Sequence, residues 1–234
     1  MRCPRRKRWQ AAALAAVLLL LPVTPGVAAP EDAVTPVEQY NTSKAKALAS
    51  TYKTQLVRFY EHVYYCLPWL GVTKNGIGFR QPKGVEADDR YLSVWVSVDQ
   101  TDDGAFGAMS RERRVSAMFS RYGVDLLRRM TAMTGVAADV NLTGFSVVLS
   151  WPRPGAPPNQ PVSETLALFV DKLSLGEFLA KRLQPGEFAR RARFSVFDGR
   201  EPVGPLRLDV WEDTFNSTYK LKNYEAPKEA RCSG

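Results

Sequence analysis

The chain has 234 residues, with 32 Lys and Arg against 24 Asp and Glu, and a formal charge of +8 at pH 7. Five of the basic residues and none of the acidic ones lie in the first 29 residues. The rest of the chain therefore has 27 basic and 24 acidic residues, and this small excess of +3 argues against a nucleic-acid partner. Its length of about 205 residues fits one domain.

Residues 1 to 29 have the three segments of a secretory signal peptide. A basic start from Arg2 to Arg8 precedes an apolar run from Ala11 to Leu21, and a Pro-containing stretch ends at Ala29. The apolar run is shorter than the roughly 20 residues that span a bilayer. We therefore expect cleavage near Ala29, no transmembrane anchor after processing, and a secreted or periplasmic soluble domain over residues 30–234.

The first half of this domain reads as helix, strand and helix. Apolar residues three and four apart predict a helix over 43–67, and a glycine-rich connection follows over 71–89. Alternating apolar and polar residues predict a strand over 91–98. A second helix is predicted over 110–133, with a bend at Gly123.

The second half contains two predicted hairpins. The first joins strands over 144–151 and 165–170 through a Pro-rich tip at 152–161. A third helix begins with a capping box at Ser174 and ends near Leu183. The second hairpin has strands over 192–197 and 206–211. These elements predict an α+β fold in a single domain, a mainly antiparallel sheet of about five strands with three helices packed on it.

The predicted strands place aromatic side chains opposite their aliphatic ones, at Tyr91, Trp95, Phe169, Phe197 and Trp211. If the helices cover only the aliphatic face, these rings form an exposed apolar platform, which is typical of a binding site. If the first helix covers them, they are core. The candidate binding residues are Tyr91, Trp95 and Trp211, together with Arg153 at the Pro-rich loop.

His62 is the only histidine and lies one helical turn before Cys66. This spacing suits a thiol paired with a base, or a zinc site completed by Cys232. Alternatively, Cys66 and Cys232 are the two cysteines left after processing, and an oxidising compartment favours a disulfide between them. We adopt the disulfide as the prediction and expect no metal or cofactor.

Other charged residues offer weaker candidates. The carboxylates for a hydrolase would come from two clusters, Glu86, Asp88 and Asp89, or Asp99, Asp102 and Asp103. Both clusters lie in turn-rich segments, where acidic residues are ordinary solvated loop formers. Arginines recur every seven residues along the second helix and are interpreted as a solvated face, at Arg114, Arg121 and Arg128.

No motif resembles a known family, so the function is inferred from residue chemistry. The lack of a convincing catalytic constellation favours a non-enzymatic protein that binds a protein or small-molecule ligand through the sheet face or the Pro-rich tip. One alternative is an extracytoplasmic enzyme, with a thiol or zinc centre at His62 and Cys66 or with a carboxylate pair. Another is a structural component of an envelope assembly.

We expect the exported protein to begin at Pro30 and to weigh two hydrogens less than the same chain with both thiols reduced. Intact mass spectrometry, with and without reduction and alkylation, measures both properties. Two thiols that alkylate without prior reduction would contradict the disulfide and favour chemistry at His62 and Cys66. An intact amino terminus on the exported protein would contradict cleavage near Ala29.

Overall fold

The computed structural model describes residues 30–67, 69–98, 104–157 and 159–212. They form an α+β fold with a single mixed sheet of six strands, which confirms the predicted fold class. The predicted signal peptide and Cys232 lie outside the described residues, as does the second acidic cluster at Asp99, Asp102 and Asp103.

Helices and strands are interspersed along the chain. In order they are α1 (Pro30–Ala33), α2 (Ser43–Cys66), β1 (Leu70–Arg80), β2 (Arg90–Val98), α3 (Gly104–Ala108), α4 (Arg111–Met118), α5 (Val124–Ala132), α6 (Thr134–Ala138), β3 (Leu142–Pro152), β4 (Ser163–Asp171), α7 (Lys172–Leu179), α8 (Pro185–Arg191), β5 (Arg193–Asp198) and β6 (Glu201–Val203). A π-helical turn, Phe119–Gly123, joins α4 to α5.

The strands lie in the sheet in chain order, from β1 to β6. Neighbouring strands are antiparallel, except that β2 and β3 are parallel. Parallel neighbours need a crossover connection, and the segment from α3 to α6 provides it. The mainly antiparallel sheet was predicted correctly, whereas the parallel pair was not predicted.

One face of the sheet packs against helices and forms the core. Alternate residues of β2 point to this face and are fully buried, as Leu92 and Val94 show. Helix α2 contacts β1, α5 contacts β3, and α7 contacts β3 and β4. The Phe119 ring packs against Phe178 and Phe188, which joins the crossover to α7 and α8. We call α2, α4, α5, α7 and α8 the helix layer.

Strand β1 occupies most of the segment that was predicted as a glycine-rich connection. Glycines are depleted in strands, so the composition of this segment is misleading. At Gly78 the structure has no room for a side chain, because a Cβ atom there would collide with the Tyr40 hydroxyl and with Thr35 Oγ1. The Tyr40 hydroxyl accepts a hydrogen bond from the Phe79 N–H at 3.0 Å, which fixes the chain before α2 to the edge of β1.

The second and third predicted helices differ from the structure in detail. The second contains the π-helical turn at its predicted bend, where a Cβ atom on Gly123 would lie 2.5 Å from the Phe119 ring. The third corresponds to α7, and its cap is Asp171 instead of the predicted Ser174, because Asp171 accepts from the Ser174 N–H at 2.8 Å. Helix α8 was not predicted, and it begins at Pro185, beyond the end predicted for the third helix. Proline suits the first turn of a helix, because an N–H group at that position would have no intrahelical acceptor.

The last predicted strand, over 206–211, is wrong. Only Glu201–Val203 pairs with β5, and the chain then leaves the sheet and lies against the helix layer. The N–H of Asp209 donates to Ser116 Oγ at 3.0 Å, and the N–H of Trp211 donates to Ser120 Oγ at 3.2 Å. Serine hydroxyls therefore accept the backbone hydrogen bonds that the carbonyl groups of a neighbouring strand would otherwise accept.

A buried carboxylate ties the helix layer to the sheet. The side chain of Glu164, at the start of β4, is 0% exposed and forms an ion pair with Arg114 of α4. It also accepts hydrogen bonds from Arg114 Nε and Trp151 Nε1, each at 2.8 Å. The prediction that Arg114 lies on a solvated face is therefore wrong, and its side chain is 11% exposed.

Arg111 extends this cluster to the next strand. Its Nε lies 3.3 Å from Glu164 Oε1, and its Nη2 forms an ion pair with Asp198 at the end of β5. Burial by itself raises the pKa of Glu164, but the hydrogen bonds and charge of Arg114, with contributions from Trp151 and Arg111, outweigh burial and leave that pKa below its ordinary value. The carboxylate is therefore charged, and α4, β3, β4 and β5 meet at it.

We expect Glu164→Gln to lower the free energy of unfolding by about 3 kcal/mol at neutral pH, because Arg114 is left without its buried counter-charge. Urea denaturation measures this, with Glu201→Gln on the exposed β6 as the control. A folded-state pKa below the ordinary value stabilises at neutral pH, and this stability is lost as the pH falls through that pKa. The difference in unfolding free energy between the wild type and Glu164→Gln should therefore decrease at acidic pH. A difference that stays constant with pH would contradict the charged state assigned to Glu164.

Candidate functional site

The second face of the sheet carries two rows of uncharged side chains that are accessible to solvent. One row crosses β2 to β5 and consists of Trp95, Val148, Ala167 and Ser195. The next row consists of Gly71, Ser97, Ser150, Thr165, Phe197 and Pro202. We call these two rows the open face. Its largest aromatic side chain, Trp95, is 42% exposed.

An irregularity in β1 lies directly beside Trp95. Val72 pairs with Val96 and Ile77 pairs with Val94, so residues 73–76 of β1 bulge out opposite Trp95. Thr73 Oγ1 donates to the Trp95 carbonyl oxygen at 3.2 Å. A Cβ atom on Gly76 would lie 2.7 Å from the same oxygen, so only glycine fits there. Bulges re-aim side chains and are common next to functional sites.

Tyr91 and Phe169 border the open face. Their rings meet edge to face, with centroids 5.4 Å apart. Burial, followed by the charge of Asp89, raises the pKa of Tyr91, so its hydroxyl is neutral across the physiological range. Ser93 and Ser146 lie in register nearby, and their fully buried hydroxyls have no hydrogen-bond partner within the described ranges.

The structure places two predicted binding residues elsewhere. Trp211 lies on the helix layer, where the Arg113 guanidinium is 4.2 Å from the centre of its ring. Arg153 Nη1 lies 3.2 Å from Asp198 Oδ1, so it belongs to the charge cluster at the base of the hairpin. Tyr91 and Trp95 do lie on the predicted second face. The sequence also placed Phe197 on this face, and the alternation along β2 placed Ser97 there, but the pairing of Ser97 with Ser150 and Thr165 was not predicted.

His62 and Cys66 are neighbours on the last turns of α2, with Cys66 Sγ 3.7 Å from His62 Nδ1. The other ring nitrogen, His62 Nε2, contacts Arg129 of α5. In the part of the chain that the structure describes, no group of three His, Cys, Asp or Glu side chains suits a metal ion. Since Cys232 lies outside that part, both the disulfide and the alternative zinc site remain predictions.

The first acidic cluster holds the start of β2 in place. Asp88 forms an ion pair with Arg90, and Arg90 Nη2 donates to Thr42 Oγ1, the cap of α2, at 3.0 Å. Asp89 Oδ1 accepts from Thr143 Oγ1 at 3.4 Å. Glu86 is exposed. These contacts give Asp88 and Asp89 structural partners and do not direct a pair of carboxylates at the open face.

No protein-family model matches the chain, and neither a curated protein nor a solved structure shows significant similarity to it. Within the described ranges, no helix combines the length and the apolar character needed to cross a bilayer. The evidence for function is therefore the open face and the chemistry of its side chains.

Two tryptophans on adjacent strands test the exposure of the open face. We expect Trp95→Ala to lower the free energy of unfolding by about 1 kcal/mol, because much of its ring already contacts water. Trp151→Ala should cost about 3–5 kcal/mol, because Trp151 is 1% exposed and donates to Glu164. Urea denaturation compares them, and an equal loss for both variants would show that Trp95 is core.

Proposed function

We propose that this is a non-enzymatic binding protein of the secreted or periplasmic space, and that its open face binds a neutral saccharide. One observation carries the proposal: a tryptophan that is 42% exposed lies next to a row of hydroxyl side chains. Ser97, Ser150 and Thr165 form that row, two residues along the strands from the row of Trp95.

The chemistry of the open face matches that of a sugar ring. A pyranose has a flat face of C–H groups and a rim of hydroxyls, so it needs both an apolar plane and small polar partners. The indole of Trp95 provides the plane. Serine and threonine hydroxyls both donate and accept hydrogen bonds, so they suit a ligand that does the same. Ser150 Oγ and Thr165 Oγ1 lie 3.1 Å apart and already form such a contact.

The distribution of charge favours a neutral ligand. Neither row of the open face contains an acidic or basic side chain, and the raised pKa of Tyr91 keeps the bordering hydroxyl neutral. Charged side chains lie beyond the two rows, where Arg193 is in register with Phe169 and the charges of Arg193 and Asp171 act on Tyr91. Within the two rows themselves, a charged ligand would lose its hydration without gaining a counter-charge.

Binding without hydrolysis is favoured by the carboxylates near the sheet. Glycoside hydrolysis requires two carboxyl groups that flank the scissile bond. Glu164 is buried and paired with Arg114, and Asp198 is paired with Arg111 and Arg153. Both carboxylates therefore form ion pairs that hold the sheet and the helix layer together.

Export and the Cys66–Cys232 disulfide belong to the same proposal. Both rest on the sequence, namely on the signal-like residues 1–29 and on the two cysteines that processing would leave. An extracytoplasmic location also suits the ligand class, because cell envelopes and their surroundings are rich in polysaccharide.

We expect the mature protein to bind at least one neutral hexasaccharide among cellohexaose, chitohexaose and maltohexaose. Trp95→Ala should weaken that binding about tenfold, which corresponds to about 1.4 kcal/mol. Isothermal titration calorimetry measures the affinities. Trp211→Ala is the matched control, since it removes the same ring from the opposite side of the molecule and should leave affinity unchanged.

A second variant separates the hydroxyl row from the ring. Thr165→Val keeps the shape of the side chain and removes its hydroxyl, so it should weaken saccharide binding while the free energy of unfolding changes little. Absence of binding to all three hexasaccharides, or equal losses for Trp95→Ala and Trp211→Ala, would refute the proposal.

A further inference from the structure

The helix layer contains an open groove between α2 and the segment formed by α5 and α6, with a volume of about 520 Å³. Arg58 and His62 of α2 line one wall, and Arg129 of α5 lines the other. Met133 and Ala132 give the groove its accessible apolar surface, and the buried Phe59 and Val136 lie beneath it. No carboxylate lines it, so the groove combines an apolar floor with cationic walls.

Arg129 is held in a fixed position within the groove. Its Nε donates to Asp125 Oδ2 at 2.7 Å, one helical turn earlier, and its Nη1 contacts His62 Nε2. The side chain is only 18% exposed. A guanidinium that is already ordered loses little conformational freedom when it binds an anion.

Arg58 differs from Arg129 because it is exposed and its side chain makes no ion pair or hydrogen bond with another residue in the described ranges. It extends the positive charge of the wall from α2. Two guanidinium groups that face one groove suit a planar carboxylate, which accepts their parallel N–H donors. Gln55 and Thr134 add uncharged donors at the rim.

We propose that this groove is a second binding site and that its ligand is a small organic anion. The carboxylate lies between Arg58 and Arg129, and the apolar body of the ligand lies on Met133 and Ala132. The volume falls in the range of about 300–1,000 Å³ that is usual for small-molecule sites. A bare inorganic anion would leave the apolar floor unused. This site is independent of the open face, because it lies in the helix layer on the opposite side of the sheet.

The test uses the mature protein and three probes of known chemistry. Amide chemical shifts are followed in ¹⁵N-labelled protein while benzoate, benzyl alcohol or inorganic phosphate is added to about millimolar concentration. We expect benzoate to shift residues 55–62 and 129–136. Benzyl alcohol, which keeps the ring and lacks the charge, should bind at least about tenfold more weakly. Phosphate, which keeps the charge and lacks the ring, should also bind more weakly.

Two variants on the same helix separate the groove from general surface charge. Arg58→Gln should weaken benzoate binding about tenfold. Lys53→Gln makes the same change of charge at an exposed position of α2 that does not line the groove, so it should leave the affinity within about twofold. Trp95→Ala should also leave benzoate binding unchanged.

Several results would overturn the proposal. One is the absence of localised shifts with benzoate, and another is equal effects of Arg58→Gln and Lys53→Gln. Benzyl alcohol binding as tightly as benzoate would remove the role of the charge. Phosphate binding as tightly as benzoate would remove the role of the apolar floor. Loss of benzoate binding in Trp95→Ala alone would move the ligand to the open face.

Discussion

The carboxylate of Glu164 is the interaction on which the arrangement of sheet and helices depends. It lies fully buried where α4, β3 and β4 meet, and Arg111 carries the contact on to Asp198 at the end of β5. A buried ion pair stabilises a fold only when its geometry satisfies nearly all of its donors and acceptors, and here two arginines and an indole N–H surround one carboxylate. A shift of α4 along the sheet, or of β4 by one residue, would leave this charge buried without its partners. We infer that the cluster fixes the register of these elements as much as it stabilises them.

One-sided packing follows from this arrangement and determines where ligands can bind. The helix layer is fixed to one face of the sheet, so alternate residues of β2 and β4 are buried there. The intervening residues of β2 lie on the second face, where Trp95 and Ser97 are exposed and Ser93 is buried. Side chains on the outward face of a sheet are usually polar and scattered. Here they include Trp95, whose backbone carbonyl accepts a hydrogen bond from Thr73 in the bulge of β1. A rigid sheet with a locally irregular edge positions such a ring more firmly than a loop would.

The fold could be predicted where each element buries a single face. Alternation over β2, β3 and β4, and three-to-four spacing along α2, are direct consequences of burial on one side. Strand β1 could not be predicted in this way, because its glycines provide no alternating side chains and its bulge adds residues between Val72 and Ile77. The parallel pairing of β2 with β3 leaves no local trace in the sequence, and the crossover alone determines it.

The candidate site was predictable only in part, for the same reason. Alternation along β2 places Tyr91 and Trp95 on one face, but their exposure depends on which elements cover that face. Trp211 was predicted to join them because an apolar alternation resembles a strand. Its segment instead lies on Ser116 and Ser120, and such contacts across more than 90 residues cannot be read locally. The pairing of Arg114 with Glu164, 50 residues apart, could not be predicted for the same reason.

The two proposed sites differ in charge because the fold separates charge between its two sides. Arg58 of α2 and Arg129 of α5 line the groove of the helix layer, and Arg111 and Arg114 of α4 contact Glu164. The two rows of the open face are left without charge. The proposed saccharide site therefore lies on the sheet, where a neutral ligand meets no unpaired charge. The proposed anion site lies in the helix layer, where Asp125 orders the guanidinium of Arg129 and the exposed Arg58 supplies a second positive charge. Since the sheet lies between the two surfaces, the groove is connected to the open face through the packing of α2 on β1, the strand whose bulge contacts Trp95, and of α5 and α6 on β3.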